Sequence, residues 1–268
     1  MKKILFSILC LCLISFQVVA TEFPVIEPFY GGGIQNTWEE FWTTETTLEE
    51  TTPAAEGIDD SPKGDGFFGK NNLNYETGAA SGGKVIGEIT DADYTLQAYI
   101  YTRVTDAPDD NALLEDYWYQ MIIFYQGENY LNYGRFHTHF NTHTDFTPRI
   151  RCQAHGTGWA NAIWYDPGDF TVPESDSWHK MKIVLSGTTA TCYFDETELG
   201  LHDWTSDEPT INAGKFGFAQ YIDAAGDKAL YIDMFKAWQG AEPPDPTPTP
   251  TPTPTPPPIS AQNWIHYG

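Results

Sequence analysis

Between Asn129 and Tyr165 the only acidic residue is Asp145, in a chain whose formal net charge is −23. The same stretch holds Arg135, Arg149 and Arg151 together with His137, His139, His143 and His155. A guanidinium offers a planar fork of donors that matches a carboxylate or sulfate, and an imidazole hydrogen-bonds to hydroxyls near neutral pH. The chemistry this set suits is the holding of an anionic or hydroxyl-rich ligand. Hydrolysis of a glycosidic bond would need two carboxyl groups at a defined separation, and this stretch has no such pair. His137, His139 and His155 could also be read as metal ligands, but zinc asks for three or four converging groups. Three neighbouring arginines would oppose a cation.

The elements that must position these residues are strands. In Gly134-Arg135-Phe136-His137-Thr138-His139-Phe140 the arginine and both histidines fall on one face, with Phe136 and Phe140 on the other. Arg149-Ile150-Arg151-Cys152-Gln153-Ala154-His155 alternates in the same way, with Ile150, Cys152 and Ala154 opposite the polar set. If the two pair as a hairpin, burial of the apolar residues fixes the register, because a one-residue slip would expose them all. Arg135, His137, His139, Arg149, Arg151, Gln153 and His155 then share one surface. The plain alternative is that they form the solvated side of an antiparallel sheet. Trp118, Trp159, Trp164, Tyr165 and Tyr193 could stack on sugar faces from the rim, although most rings in such a chain belong to its core.

Period-2 alternation continues elsewhere. It marks Tyr94 to Arg103, Trp118 to Gln126, Trp178 to Leu185, Thr191 to Asp195, Gly214 to Phe218 and Leu230 to Phe235. Turn residues separate these runs, and there is no long amphipathic helix, which predicts an all-β antiparallel sandwich. Glu45 to Asp65 is acidic and rich in Thr, Pro and Gly, and reads as loop.

Residues 1–20 read as an export signal, with Lys2 and Lys3, an apolar run from Ile4 to Phe16, and Val18-Val19-Ala20 before the cut. Losing two lysines takes the charge from −23 to −25. A chain so acidic is repelled by nucleic acid and by anionic membranes, and no membrane insertion is expected. Residues 21–240 suffice for one domain with its own core. Residues 241–258 form a Pro-Thr linker, whose repeat from 243 to 258 would span roughly 50 Å as polyproline II, and residues 259–268 are a short tail or the stub of a second domain. The expectation is a secreted or cell-surface bacterial protein, with a second domain or surface component reached through the linker. Cys152 and Cys192 both fall on apolar faces. A meander would set their strands two apart in one sheet, about 9.6 Å, which is too far to bridge and predicts free thiols.

The succession from Trp178 to Trp238 resembles the C-terminal half of a concanavalin A-like (laminin-G-like) jelly roll. Trp178 opens a strand, Tyr193-Phe194-Asp195 closes a hairpin, Gly214-Lys215-Phe216-Gly217 starts the next strand, and Ile232-Asp233 lies in the last. The resemblance implies a jelly roll whose concave face takes the ligand. It also implies a structural calcium on Asp233, with Glu27 of an N-terminal strand as a partner. The Glu-x-Asp-x-x-Glu strand of the glucanase-type members is missing, and Asp195-Glu196-Thr197-Glu198 falls at a hairpin turn instead. Jelly-roll polysaccharide lyases of the alginate-lyase kind use a Gln-x-His strand, arginines and a later tyrosine. Gln153, His155, Arg151 or Arg135, and Tyr221 stand in that order here, with His as base and Tyr as acid. The remaining lyase strands are not matched.

The expected function is therefore an exported, non-catalytic module docking a polysaccharide on the basic, His-rich face. A jelly-roll lyase acting on uronate polymers is the enzyme alternative. A cell-surface adhesion module binding protein is the third.

Overall fold

The computed structural model describes residues 23–41, 46–75, 80–90, 93–102, 118–125, 133–139, 149–155, 163–165, 177–187, 189–203, 213–222 and 226–246. Nearly all of them lie in strands. In the N-terminal half these are β1 (Val25–Glu27), β2 (Glu39–Phe41), β3 (Thr46–Thr51), β4 (Phe68–Tyr75), β5 (Ala80–Thr90), β6 (Tyr94–Thr102) and β7 (Trp118–Tyr125). There follow β8 (Tyr133–His139), β9 (Arg149–His155), β10 (Ile163–Tyr165), β11 (Ser177–Ser186), β12 (Thr189–Phe194), β13 (Thr197–Asp203), β14 (Ala213–Ile222) and β15 (Gly226–Trp238). Every predicted strand is present, within a few residues of its expected ends.

The strands form two antiparallel sheets. The first runs β13-β12-β11-β6-β15-β4-β3, with β1 also paired to β15, and the second runs β10-β9-β8-β7-β14-β5-β2. Consecutive strands repeatedly cross between sheets, as in the jelly-roll sandwich that the concanavalin A-like resemblance implies. Apolar residues at alternate positions meet between the layers. Leu96, Ala98 and Ile100 of β6 join Met181, Ile183 and Leu185 of β11 and Leu230, Ile232 and Phe235 of β15, facing Met121 of β7 and Phe216 and Phe218 of β14. Each of these side chains other than Ala98 contributes roughly 1.5–3 kcal/mol on burial, so every strand that carries them is locked in register.

Two expectations are corrected. Glu45 to Asp65 is not all loop: Thr46–Thr51 pairs with β4 along its whole length, and a short helix α1 (Pro53–Glu56) follows. The acidic composition hid the alternation of Thr46, Leu48 and Glu50 with their neighbours. The helix has local signals of its own, since the Thr52 hydroxyl accepts from Ala55 N–H at 3.3 Å and Gly57 closes the end at φ 67°. The second correction concerns cysteine. Cys192 is disulfide-bonded, not a free thiol. The meander assumed for it does not exist: Cys192 lies on β12 of the first sheet and Cys152 on β9 of the second.

Candidate functional site

The basic ribbon is built by β8 and β9, which pair in the register that apolar burial demanded. Arg135 stands opposite Gln153, His137 opposite Arg151, His139 opposite Arg149, and Tyr133 opposite His155. Met121 settles which face is which. It is 1% exposed within the intersheet core, and Phe136 and Cys152 share its rung. The seven polar residues hold register positions that alternate with that rung.

The neighbouring strands extend this face. Trp118 and Tyr221 share the rung of His139 and Arg149, Gln120 and Ala219 that of His137 and Arg151, and Ile122 and Trp164 that of Arg135 and Gln153. Two of the five residues named from sequence, Trp118 and Trp164, thus stand at register positions on the ribbon's rungs. Tyr165 stands opposite Cys152, on the alternate rung. Tyr193 is on the other sheet, where its ring lies 4.5 Å from Lys182 Nζ. His143 and Trp159 are outside the described residues. Among the described strands, the outward positions of β7 to β10 carry no carboxylate, whereas Glu39, on edge strand β2, is bonded to Lys215.

Beside the Glu39–Lys215 pair, part of the far half of the same face is apolar and closed. Phe41, Val85, Tyr125 and Ala219 are at most 5% exposed and pack together, with the Phe41 and Tyr125 rings 4.8 Å apart. A methyl on Gly217 would come within 2.0 Å of the Lys84 carbonyl, so β5 and β14 approach too closely for any side chain there. The polar half is thus bounded on one side by a packed apolar floor.

The register also tests the catalytic expectations. Tyr221 and His155 share a face but are three strands and three rungs apart, roughly 25 Å by strand and residue spacing. An acid and a base acting on one sugar ring must both reach it within hydrogen-bond distance, so the Gln153, His155, Arg151 and Tyr221 set is not brought together. His155 is likewise two rungs, or about 14 Å, along its strand from the position facing His137. His137, His139 and His155 therefore cannot close on one metal.

The two residues expected to hold calcium are engaged with donors. β1 does pair with β15, Glu27 facing Phe235. The buried Glu27 carboxylate accepts the backbone N–H groups of Gln35 (3.0 Å) and Asn36 (2.8 Å), the Asn36 side-chain amide (3.0 Å) and the Trp38 indole N–H (3.2 Å). Four positive dipole ends aimed at one carboxylate make an anion seat, which fixes the chain over 35–38. Asp233 is fully buried and accepts from the Ser61 hydroxyl and from Met234 N–H (2.7 Å). Burial, helped by the Asp65 charge, pushes its carboxyl up to about 8, against the hydrogen bonds and Lys63. Among the described residues no group of three His, Cys, Asp or Glu side chains is placed to hold a metal.

One constellation was not anticipated. Ser177 Oγ lies 2.8 Å from His179 Nε2, His179 Nδ1 lies 2.7 Å from Asp195 Oδ2, and Asp195 Oδ1 accepts Lys180 N–H at 2.8 Å. The order of atoms is that of a Ser-His-Asp relay. The imidazole, however, is 4% exposed and lies nearly flat on Phe194, with centroids 4.9 Å apart. Here the chain of bonds pins the β12–β13 turn, where Asp195 and Glu196 take φ 46° and 66°, to β11. The sequence holds no signal for it, because the contact depends on the β11–β12 register.

No family model matches the chain, and no curated protein does. Solved structures resemble it in shape. One is a carbohydrate-binding module from Bacillus subtilis, 10% identical, covering 73% of this chain and 96% of that one, TM-score 0.42. Another is a glycoside hydrolase family 16 endo-glucanase from Bacteroides ovatus, 13% identical, covering 80% and 99%, TM-score 0.49. A third is an alginate lyase in complex with dimannuronate, 11% identical, covering 63% and 73%, TM-score 0.46. Among the described residues no helix is long and apolar enough to cross a membrane.

Proposed function

We propose that this protein is an exported, non-catalytic carbohydrate-binding module that docks an acidic polysaccharide on the outer face of its second sheet. The observation that supports this most is the β8–β9 register, which gathers Arg135, His137, His139, Arg149, Arg151, Gln153 and His155 on one side. Arg149 and Arg151 carry like charges two residues apart on β9, which repel, with His139 and His137 at the opposite positions of β8. An anionic ligand along the ribbon relieves that repulsion. Carboxylates or sulfates repeated along a glycan chain supply such charges, and the guanidinium forks take them bidentately. Trp118 and Trp164 hold register positions on the rungs of the same patch, and indole rings there would stack on sugar faces.

The test is a screen of acidic and neutral polysaccharides against the wild type and Arg149→Ala/Arg151→Ala. The expected result is binding to at least one uronate- or sulfate-bearing polymer. That binding weakens with salt and falls at least tenfold in the double variant, without loss of thermal stability. Binding to no polysaccharide, or equal binding by the variant, overturns the assignment. A rise in unsaturated-uronate absorbance on those polymers would instead establish lyase chemistry, and capture of a protein partner with no glycan dependence would establish adhesion.

A further inference from the structure

The outer face of the first sheet buries a lysine. Lys236 of β15 is 1% exposed and shares a rung with Gln97, which is 2% exposed. Leu96 and Ala237 alternate with them into the core, so Lys236 points away from the second sheet. A buried ammonium is tolerated only when anions and acceptors surround it. Its Nζ meets Glu242 Oε1 at 3.3 Å, the Pro243 carbonyl at 3.4 Å, and Asp245 Oδ1 in a shorter contact. All three come from the few residues that follow β15. The second Asp245 oxygen binds Lys63, whose Nζ also sits 5.6 Å over the Tyr99 ring. One aspartate therefore bridges two lysines from separate parts of the domain. Burial alone would raise the Asp245 carboxyl, but the hydrogen bonds and charges of Lys236 and Lys63 outweigh it and hold the group below its ordinary value.

We infer that residues 239–246 form a clasp that fixes where the Pro-Thr stalk leaves the domain, on the side of the sandwich opposite the basic ribbon. Pro243, Pro244 and Pro246 stiffen the segment in advance and lower the entropy lost on docking. The body therefore extends to Pro246, beyond the boundary at 240 expected from composition. The stalk therefore starts from a fixed point on the first sheet's outer face, opposite the basic ribbon. The functional meaning of this orientation rests on the proposed docking face; the clasp does not.

The experiment is backbone 15N relaxation on the full chain, in the wild type, in Lys63→Met/Lys236→Met and in the milder Asp245→Asn. No ligand is present, so the outcome is independent of whether the ribbon binds a glycan. In the wild type the amides of Ala241, Glu242 and Asp245 should show order parameters near the rigid-body level of about 0.85, and in both variants they should fall below about 0.6. If these amides are already mobile in the wild type, or stay rigid in Asp245→Asn, the clasp is refuted. Asp245→Asn leaves both lysines in place and so keeps the question decidable should the double variant fail to fold.

Discussion

The two outer faces of this sandwich are made by strands of the same kind and have opposite characters. On the first sheet the protein answers its own charges. Lys236 meets Glu242 and Asp245, Lys63 meets Asp245, Asp233 meets Ser61, and Glu196 spans Lys180 at 2.6 Å and Lys182 at 3.1 Å. On the second sheet three arginines and three histidines share a ribbon whose neighbouring outward positions, among the described strands, supply no carboxylate. A face neutralised from within is scaffold, whereas a ribbon whose described outward positions carry only basic charge would gain from an external partner of the other sign. The contrast separates two kinds of substitution: on the first face they should cost stability and leave binding alone, and on the second the reverse.

The largest effect expected on the first face comes from Asp233. Its folded value is raised to about 8, chiefly by burial. A raised carboxyl contributes stability that is fully present below its unfolded value near 4 and is lost as pH climbs to about 8. The slope is on the order of 1 kcal/mol per pH unit across that window. Urea unfolding at pH 5, 6.5 and 8.5 should show this decline in the wild type and a flatter profile in Asp233→Asn. Parallel profiles would remove Asp233 from the scaffold's account. On the second face, His137→Ala and Gln153→Ala should each weaken polysaccharide binding several-fold, while unfolding free energies stay within about 0.5 kcal/mol, the usual range for surface positions. A loss of stability comparable to the loss of binding would show that the ribbon is structural after all. The smallest effect belongs to Glu196→Ala. Its carboxyl is held low by the hydrogen bonds from Lys180 and Lys182, yet its side chain is 61% exposed, so removal should cost no more than about 0.5 kcal/mol. A cost above 1 kcal/mol would mean that this pair is more than surface decoration.

Much of the fold was legible because strand alternation is local. Phe136 and Ile150 declare one side of their strands and Arg135 and Arg149 the other without any knowledge of partners. The seven-residue platform followed from the same rule once the hairpin was assumed, and the pairing of β8 with β9 has the required register. The miss at Thr46–Thr51 came from a short edge strand whose acidic, Thr-rich composition reads as loop. The cysteine error came from topology: alternation gave the correct apolar faces, but sheet membership depends on where the chain crosses over. Asp233 was noticed for its place in the last strand, yet its environment, with Ser61 brought from 172 residues away, could not be read.

By itself the order of residues determined the strands, their two-sided character and the side on which the basic groups gather, since a period of two leaves no freedom once apolar residues must be buried. Distances between strands far apart in the chain were decided only by the packed sheets. Those distances part Tyr221 from His155, put Cys152 and Cys192 in different layers, and lay Asp245 over Lys236. The physical reason is that side-chain periodicity is a property of neighbours along the backbone, whereas strand order is set by the summed burial of both sheets at once.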